Sequence, residues 1–362
     1  MASSLNIHLR PVWRFRNGEE RELDATLLAL LEGIEHSGKL TAAARSAGIS
    51  HRHAWNLIER WSEFLGAPIV VIERGRGTRL SAFGAKLLWA GHRAQARLAP
   101  ELESLAAELA ESLYEPAAAH APVLRLHASH DFTLAGLRQL AGRSRRLALD
   151  LRYRGSAEAL AALREERCDV AGFHVTDGRL GAAAASRYAE SLGDSHCLVW
   201  LAMRVQGLVV APGNPKSILG VPDLARPGVR FVNRQRDSGT RILLDQLLAQ
   251  AGVPAAALAG YASEEHTHTA VAAHVAAGLA DVGLGILAAA RQFHLGFVPL
   301  VAERYFLGLH KDLLASPEGE YLLGLIRSDD FHDIVSEFYG EGAHSTGHVS
   351  RLRDTPPWNG LL

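Results

Sequence analysis

The sequence predicts an α/β protein with a small N-terminal α+β domain, one long helix and a larger α/β domain of two lobes. Three observations support this prediction. Residues 38–66 have the pattern of two helices joined by a tight turn, residues 98–113 carry leucines at helical spacing, and residues 123–176 alternate strand-like and helix-like segments. An alternating order of strands and helices favours a parallel sheet covered by helices.

Length and composition set the general class of the protein. At 362 residues with 48% apolar residues, the chain can form two or three domains with proper cores. No apolar run is long enough to cross a membrane, and the first residues lack the apolar core of a signal peptide. The two cysteines, Cys168 and Cys197, form no metal-binding pair, so we expect buried thiols in a cytoplasmic protein.

The N-terminal domain contains the pattern of a helix-turn-helix. A short strand within residues 5–16, a turn at Asn17-Gly18 and an amphipathic helix over residues 23–34 precede it. Gly48 is suited to end the first helix of the motif, and Ser50 is a good N-cap for the second. In such motifs the start of the second helix enters the major groove of DNA. The residues predicted to face DNA on this helix are Ser50, His51, Arg52, His53 and Asn56.

A basic wing is predicted after the motif. Residues 69–72 form a β-branched run, and residues 74–77 have the composition of a turn. We expect Arg74, Arg76 and Arg79 to contact the DNA backbone. Residues 39–93 carry nine Lys and Arg against three Glu, a net charge of +6 in a chain whose net charge is −1. This local charge favours DNA binding over a helical hairpin without a partner.

A long helix is predicted over residues 82–113, with Pro100 as the site of a kink. Its apolar stripe is suited to pair with a second helix, so we interpret it as a linker and dimerisation helix. The alternative is that the stripe packs on its own chain. The leucines of the stripe are Leu98, Leu102, Leu105, Leu109 and Leu113.

The remaining chain divides into two α/β lobes. The chain passes from one lobe to the other near residues 201–210 and again near residues 297–309. Two lobes joined in this way suit a hinge that closes on a ligand. The predicted domains are residues 1–81 for DNA binding, 82–115 for the linker helix, 116–122 for a linker, 123–341 for the two-lobed domain and 342–362 for a poorly ordered tail.

Ligands of open α/β sheets bind beyond the carboxyl ends of the strands, often at helix N-termini. Hydroxyls, backbone N–H groups and arginines in such places favour a small anion, and residues 233–244 offer all three. The alternative is that Ser238 only caps a helix. The predicted ligand-binding residues are Ser129, His130, His174, Ser238, Gly239, Thr240, Arg241, Thr267 and His268.

Metal binding and catalysis have less support from the sequence. Glu264, Glu265, His266 and His268 contain ligand types for a metal, but residues two apart on a helix face different directions. The chain contains no P-loop, nucleophile elbow, HExxH motif or dinucleotide fingerprint. We therefore expect no metal, no cofactor and no catalytic residues, and His174 is the one base that an enzymatic alternative offers.

The segments GISHRHAWNLIERWSEFLGAPIV and TRLSAFGAKLL resemble the recognition helix, wing and following helix of ModE-like molybdate-responsive regulators. The wider plan, with its long linker helix, resembles the LysR-type regulators. Residues 123–340, including FVNRQRDSGTRILLDQLL, resemble the periplasmic-binding-protein-like effector domains of such regulators. One departure is that the C-terminus lacks the small β-barrel repeats that bind molybdate in ModE-like proteins.

The resemblance implies a transcription regulator with an N-terminal winged helix-turn-helix and a two-lobed periplasmic-binding-protein-like effector domain. It further implies a double-stranded DNA operator as partner, a homodimer or a tetramer, and a small anion as effector, either formate or molybdate/tungstate. Two alternatives remain open. The same sensor could act through a protein partner, or the cleft could belong to a two-lobed enzyme.

Overall fold

The computed structural model describes residues 7–73, 77–113, 121–144, 146–176, 178–236 and 238–358. It confirms the predicted fold class, an α/β protein with an N-terminal winged helix, a long linker helix and a two-lobed effector domain. Arg74 and Arg76 of the predicted wing lie outside the described residues.

The N-terminal domain packs three helices between two short hairpins. Strands β1 (Arg14–Asn17) and β2 (Glu19–Glu22) form the first hairpin, and β3 (Val70–Glu73) and β4 (Gly77–Leu80) form the wing. Leucines, alanines, Trp61 and Ile69 make up the common core. The helices are α1 (Ala25–Ser37), α2 (Leu40–Ser46) and α3 (His51–Leu65).

Local signals in the sequence place the ends of these helices. Asp24 caps α1 by accepting from the backbone N–H of Thr26, and Ser50 caps α3 by accepting from that of His53. Gly48 takes a positive φ of 70° between α2 and α3, a conformation that glycine adopts without strain. The turn of the helix-turn-helix is thus fixed by a glycine and a serine cap.

The inward face of α3 differs in part from the prediction. Ala54, Ile58 and Trp61 are buried as their spacing suggests, and Leu57 and Phe64 are buried as well. The predicted core residues Trp55 and Leu65 are only partly buried. The buried set therefore follows the i, i+3, i+4 and i+7 pattern of one helix face more closely than the prediction does.

The linker helix α4 (Ala82–Leu113) runs without a break through Pro100. Gly84 lies so close to β3 that a Cβ there would be 1.9 Å from the carbonyl oxygen of Ile69, so the start of α4 is locked to the wing. Further along, α4 packs on the effector domain of its own chain, against the first lobe and the second. In the described part of the chain, no helix is both long and apolar enough to cross a membrane.

The strands of the effector domain form one continuous sheet in the order β10-β9-β11-β8-β12-β7-β5-β6, and β13 pairs with β8. Two long antiparallel strands, β8 and β12, lie at its centre and cross between the lobes, which confirms the predicted crossings. On either side the outer strands are parallel. The strands are β5 (Val123–Ala128), β6 (Ala148–Tyr153), β7 (Val170–Thr176), β8 (His196–Val210), β9 (Phe231–Arg234), β10 (Glu264–Glu265), β11 (Val282–Ile286), β12 (Gly296–His310) and β13 (Val349–Ser350).

Helices cover both faces of this sheet. Parallel strands require such crossover helices and are buried on both faces, which explains the largely apolar sequences of β7 and β11. The helices are α5 (Phe132–Gly142), α6 (Ser156–Arg164), α7 (Gly178–Ala189), α8 (Gly239–Gln250), α9 (His268–Ala276), α10 (Leu287–Gln292), α11 (Lys311–Leu314), α12 (Pro317–Ile326) and α13 (Asp329–Tyr339).

The prediction of a poorly ordered tail from residue 342 onward is wrong. The segment returns to the first lobe, where β13 joins the sheet beside β8. Trp358 is fully buried among Phe173 and Phe306, and its indole N–H donates to the carbonyl of Ala185 at 2.8 Å. Because most residues of the tail are polar, its sequence did not indicate that Trp358 is buried. The last four residues, 359–362, lie outside the described residues.

We predict that Trp358→Ala lowers the free energy of unfolding by about 3–5 kcal/mol, because the substitution leaves a cavity in a dry core. Urea denaturation followed by circular dichroism measures this change. Leu219→Ala serves as the control, since Leu219 is 76% exposed and its loss should change stability little. Equal effects of the two substitutions would contradict the packing of the tail.

Candidate functional site

A buried polar cluster lies between the lobes, where the two crossing strands meet the carboxyl ends of the parallel strands. The first lobe contributes residues that follow β5 and lie on β7, and the second contributes the end of β9 and the start of α9. The crossing strands β8 and β12 contribute three buried polar residues at their centre. These three residues are Arg204, Gln206 and Glu303.

Arg204 is the centre of the cluster. Its Nη1 donates to Oδ2 of Asp131 at 3.0 Å, and its Nε donates to Oε1 of Glu303. Gln206 donates to the other oxygen of Glu303 at 2.7 Å, and the hydroxyl of Tyr339 donates to Asp131 at 2.7 Å. Each carboxylate therefore has several donors in a site that water does not reach.

These contacts fix the charge states of the cluster. Burial alone would raise the pKa of Asp131, but the imidazole of His174, whose Nε2 lies 3.6 Å from Oδ2, and the charge of Arg204 outweigh burial and hold it well below its usual value. The pKa of Glu303 is lowered in the same way, with Arg204 as the main opposing influence on burial. Arg204 stays cationic because the two carboxylates outweigh its desolvation and raise its pKa.

Two histidines of the first lobe face this network. His174 stacks on the ring of Tyr305 at 3.9 Å, and its Nδ1 shares a hydrogen bond of 2.7 Å with the hydroxyl of Ser129. Burial and the charge of Arg204 lower the pKa of His174. His130 packs against Tyr153, and burial lowers its pKa to about 4. Both imidazoles are therefore neutral at pH 7.

The second lobe places a less compensated cation opposite them. Arg234 is buried at the end of β9, where its Nη2 donates to the carbonyl of His266 and its Nε donates to the side chain of Gln235, both at 3.0 Å. Within the described residues it makes no ion pair with a carboxylate. Burial and the nearby charge of Arg204 lower its pKa to about 9, so it remains cationic at pH 7.

His268 lies close to this arginine at the start of α9. It is only 6% exposed, and its Nδ1 has no hydrogen-bond partner among the described residues. Burial, together with the charges of Arg234 and Arg204, lowers its pKa well below its usual value. A buried imidazole nitrogen without a partner is costly unless a ligand supplies one. Arg234 and His268 thus offer guanidinium N–H groups and a ring nitrogen that no described residue bonds.

The structure brings together some of the ligand-binding residues that the sequence predicts. Ser129, His130, His174 and His268 belong to the cluster described above. Ser238 caps α8 through the backbone N–H of Arg241, and Gly239 and the buried Thr240 are the first two residues of that helix. These three residues directly follow the loop after Arg234.

Two predicted residues point elsewhere. Arg241 lies over the ring of Tyr261 and forms ion pairs with Asp245 and Glu264, so its charge is already compensated. Thr267 caps α9, and its hydroxyl also donates to the carbonyl of Ala96 in α4 at 2.9 Å. The polar groups of both side chains are therefore already engaged within the protein.

Sequence reasoning missed the centre of the site. Arg204, Gln206 and Glu303 stand inside the apolar runs CLVWLAMRVQGLVV and FVPLVAERYFLGL, whose pattern predicts only crossings between lobes. Charged residues are rarely buried unless they are paired. An arginine and a glutamate within two apolar strands that neighbour each other could have predicted a buried ion pair at the hinge.

The predicted DNA-facing residues form a separate surface. The four residues His51, Arg52, His53 and Asn56 lie on the first two turns of α3, next to the capping residue Ser50, and all four are exposed. Arg79 is exposed on β4 of the wing. The geometry of the helix-turn-helix thus leaves this helix start open to a partner.

We predict that stability falls as the pH drops from 6.5 towards 4, because the buried histidines must take up protons. The folded-state pKa of His130, about 4, lies below its unfolded value of 6.5, so its contribution is complete above pH 6.5 and is lost below it. For one such histidine the slope approaches about 1.4 kcal/mol per pH unit. Denaturant titrations at pH 7, 6 and 5 measure it.

The variant His130→Gln isolates this effect, since glutamine does not titrate. Across the same pH range, the free energy of unfolding of this variant should fall less steeply than that of the wild type, by the contribution of one histidine. His332→Gln, on the exposed side of α13, is the control and should retain the wild-type slope. An unchanged slope in His130→Gln would contradict the burial of a neutral His130.

The model of the PBP superfamily domain matches residues 137–327, more than half of the chain. The uncharacterized protein YvgK of Bacillus subtilis (strain 168) is 34% identical over 203 residues, which are 55% of this chain and 64% of that protein. The chain thus spans somewhat less than two thirds of the length of this relative.

Two further similarities are more limited. The molybdenum-pterin-binding protein MopB of Rhodobacter capsulatus is 34% identical over 86 residues, 23% of this chain and 32% of that protein. The solved structure of an OxyR mutant of Corynebacterium glutamicum, bound to H₂O₂, is 15% identical with a TM-score of 0.44, over 86% of this chain and 93% of that one. The two-lobed sheet, its crossing strands and the match to the family model together show that the chain belongs to the PBP superfamily.

Proposed function

We propose that the chain is a LysR-type, DNA-binding transcription regulator that responds to a small anion bound between the lobes of its effector domain. One observation carries this proposal. Arg234 and His268 lie buried in the cleft, and neither contacts an acidic side chain among the described residues. A sensor needs such a site, and the exposed start of α3 gives it an output.

The chemistry of the cleft favours an anion over a cation or a neutral molecule. Asp131 and Glu303 already accept hydrogen bonds from Arg204 and from other donors, so neither of these two carboxylates is left to hold a cation. Arg234 can offer further N–H groups, and charge-assisted hydrogen bonds from arginine suit oxyanions. The N-terminus of α8, at Gly239 and Thr240, adds backbone donors close to the same place.

The polar lining of the site favours a small oxyanion, with formate and molybdate or tungstate as the two alternatives. Hydroxyl, imidazole and guanidinium groups line it, and they offer little apolar surface to a larger organic ligand. The similarity to the molybdenum-pterin-binding protein MopB supports the molybdate alternative. The resemblance of residues 23–90 to ModE-like winged helices supports it as well.

The DNA-binding role rests on α3 and the wing. A helix start that carries His51, Arg52, His53 and Asn56 can contact base edges, and the basic wing can contact phosphates. We propose that the protein acts as a homodimer or a tetramer, because such regulators read two half-sites. The exposed side chains of Leu105 and Leu109 on α4 are suited to the contact between two copies.

We predict that Arg52→Gln weakens binding to DNA from the region upstream of the gene and makes its salt dependence less steep. Each lost phosphate contact should reduce the slope of log K against log salt by about one. Fluorescence anisotropy at several salt concentrations measures it. Arg60→Gln, at the far end of the same helix, is the control and should keep the wild-type slope. A flat salt dependence in the wild type would exclude DNA binding by this surface.

We predict that formate or molybdate/tungstate raises the melting temperature of the wild type and that Arg234→Gln abolishes the increase. At a concentration about 100 times Kd, a bound ligand stabilises the folded state by about 2.7 kcal/mol. Arg236→Gln is the matched control, since Arg236 lies two residues further on and its side chain is 83% exposed. Thr240→Ala should reduce the shift. If none of these anions stabilises the wild type, the proposed site is wrong.

A further inference from the structure

The linker helix α4 lies across both lobes of the effector domain. On the first lobe, the hydroxyl of Ser104 accepts from the backbone N–H of Tyr153 at 3.2 Å. On the second lobe, Arg93 donates to Glu265 at 2.7 Å. A cavity of about 1270 Å³ lies between α4, α1 and the mouth of the cleft, and His130 and Thr267 line it together with residues of both helices. Movement of one lobe relative to the other must therefore act on α4.

Four consecutive residues, 265–268, connect this helix to the proposed anion site. Glu265 and Thr267 contact α4, through Arg93 and through the carbonyl of Ala96 respectively. The carbonyl of His266 accepts from Arg234, and the side chain of His268 lies in the cleft. The backbone is extended at Thr267, so neighbouring residues face opposite sides. We call residues 265–268 the coupling segment.

Electrostatics makes the contact with α4 strong. Glu265 is fully buried, and its Oε1 is bound by Arg93 and by His274, the latter at 3.2 Å. Burial raises the pKa of Glu265, but the hydrogen bond from His274 and the charge of Arg93 outweigh burial and lower it. Moving α4 away would leave a buried carboxylate without its arginine, which is strongly unfavourable. The segment and the helix therefore tend to move together.

A second contact holds the DNA-binding domain itself against the second lobe. Nε2 of His36 at the end of α1 and Nε2 of His294 after α10 lie 2.6 Å apart. The ring of His92 on α4 packs edge-on against Phe293 beside them. In the structure, the DNA-binding domain is thus docked on its own effector domain rather than extended away from it.

We infer that the coupling segment transmits anion binding from Arg234 and His268 to α4, and through α4 to the docked DNA-binding domain. An anion that contacts the remaining N–H groups of Arg234 lies on the same guanidinium that donates to the carbonyl of His266, and so changes the balance of forces on the segment. Such a ligand shifts the docked state only by its difference in affinity for the docked and released states. This inference rests on the proposed function of the site.

The experiment uses the full-length variant Arg93→Gln, with Arg97→Gln as the control on the next turn of α4. Arg97 is exposed, so both variants remove one arginine from the same helix, but only one of them touches Glu265. The measured quantity is the factor by which saturating formate, molybdate or tungstate changes the affinity for DNA from the region upstream of the gene. In the wild type and in Arg97→Gln we expect a factor of about five or more.

In Arg93→Gln the factor should fall below about two, although the anion still binds in calorimetry and DNA still binds without it. Arg93→Lys, which keeps the charge, should retain part of the coupling. Small-angle scattering should show a larger radius of gyration for Arg93→Gln than for Arg97→Gln, because α4 is released.

Anion binding with an unchanged coupling factor in Arg93→Gln would overturn this inference and leave the proposed function intact. Wild-type protein that binds none of the three anions would overturn both. A larger radius of gyration in Arg93→Gln together with an unchanged coupling factor would show that release of α4 does not affect the coupling. This result too would overturn the inference.

Discussion

The arrangement of the two lobes depends on the buried guanidinium of Arg204. It joins the crossing strand β8 to Glu303 on the other crossing strand and to Asp131 at the start of α5. All three side chains are nearly inaccessible to water. Removal of Arg204 would leave two buried carboxylates without their cation, and loss of one partner of a buried ion pair typically costs about 3–5 kcal/mol. The hinge is therefore fixed chemically at one point, and the lobes can only move around it.

The same ion pairs determine what the cleft can bind. Asp131 and Glu303 both accept hydrogen bonds from Arg204, so these two carboxylates are already engaged within the first lobe and the hinge. Arg234 of the second lobe keeps a positive charge that no described acidic side chain contacts, and the imidazoles of His130, His174 and His268 stay neutral. A neutral imidazole can donate to an anion and can also gain a proton when the anion arrives. The distribution of charge thus favours an anion between the lobes.

The fold could be predicted from the sequence where local signals are strong. Gly48 and Ser50 set the turn of the helix-turn-helix, and the order of strands and helices set the parallel sheets of both lobes. The contacts between the centres of the strands could not be predicted in this way. Arg204 and Glu303 lie 99 positions apart and meet only because β8 and β12 pair antiparallel, a register that no local pattern specifies. Trp358 was missed for a similar reason, since one buried ring in a polar segment leaves no periodic signal.

The docking of α4 on its own effector domain answers a question that the leucine stripe left open. At about 100° per residue, Ser104 lies within about 20° of Arg93 around the helix, so both face the effector domain. Leu105 and Leu109 lie about 120° and 160° away from Arg93 and are exposed. The stripe can therefore contact a second copy of the helix while Arg93 stays bound to Glu265. In such a dimer each α4 would pair with its twin on one face and follow its own effector domain on the other, so that lobe movements in either copy would act on one shared pair of helices.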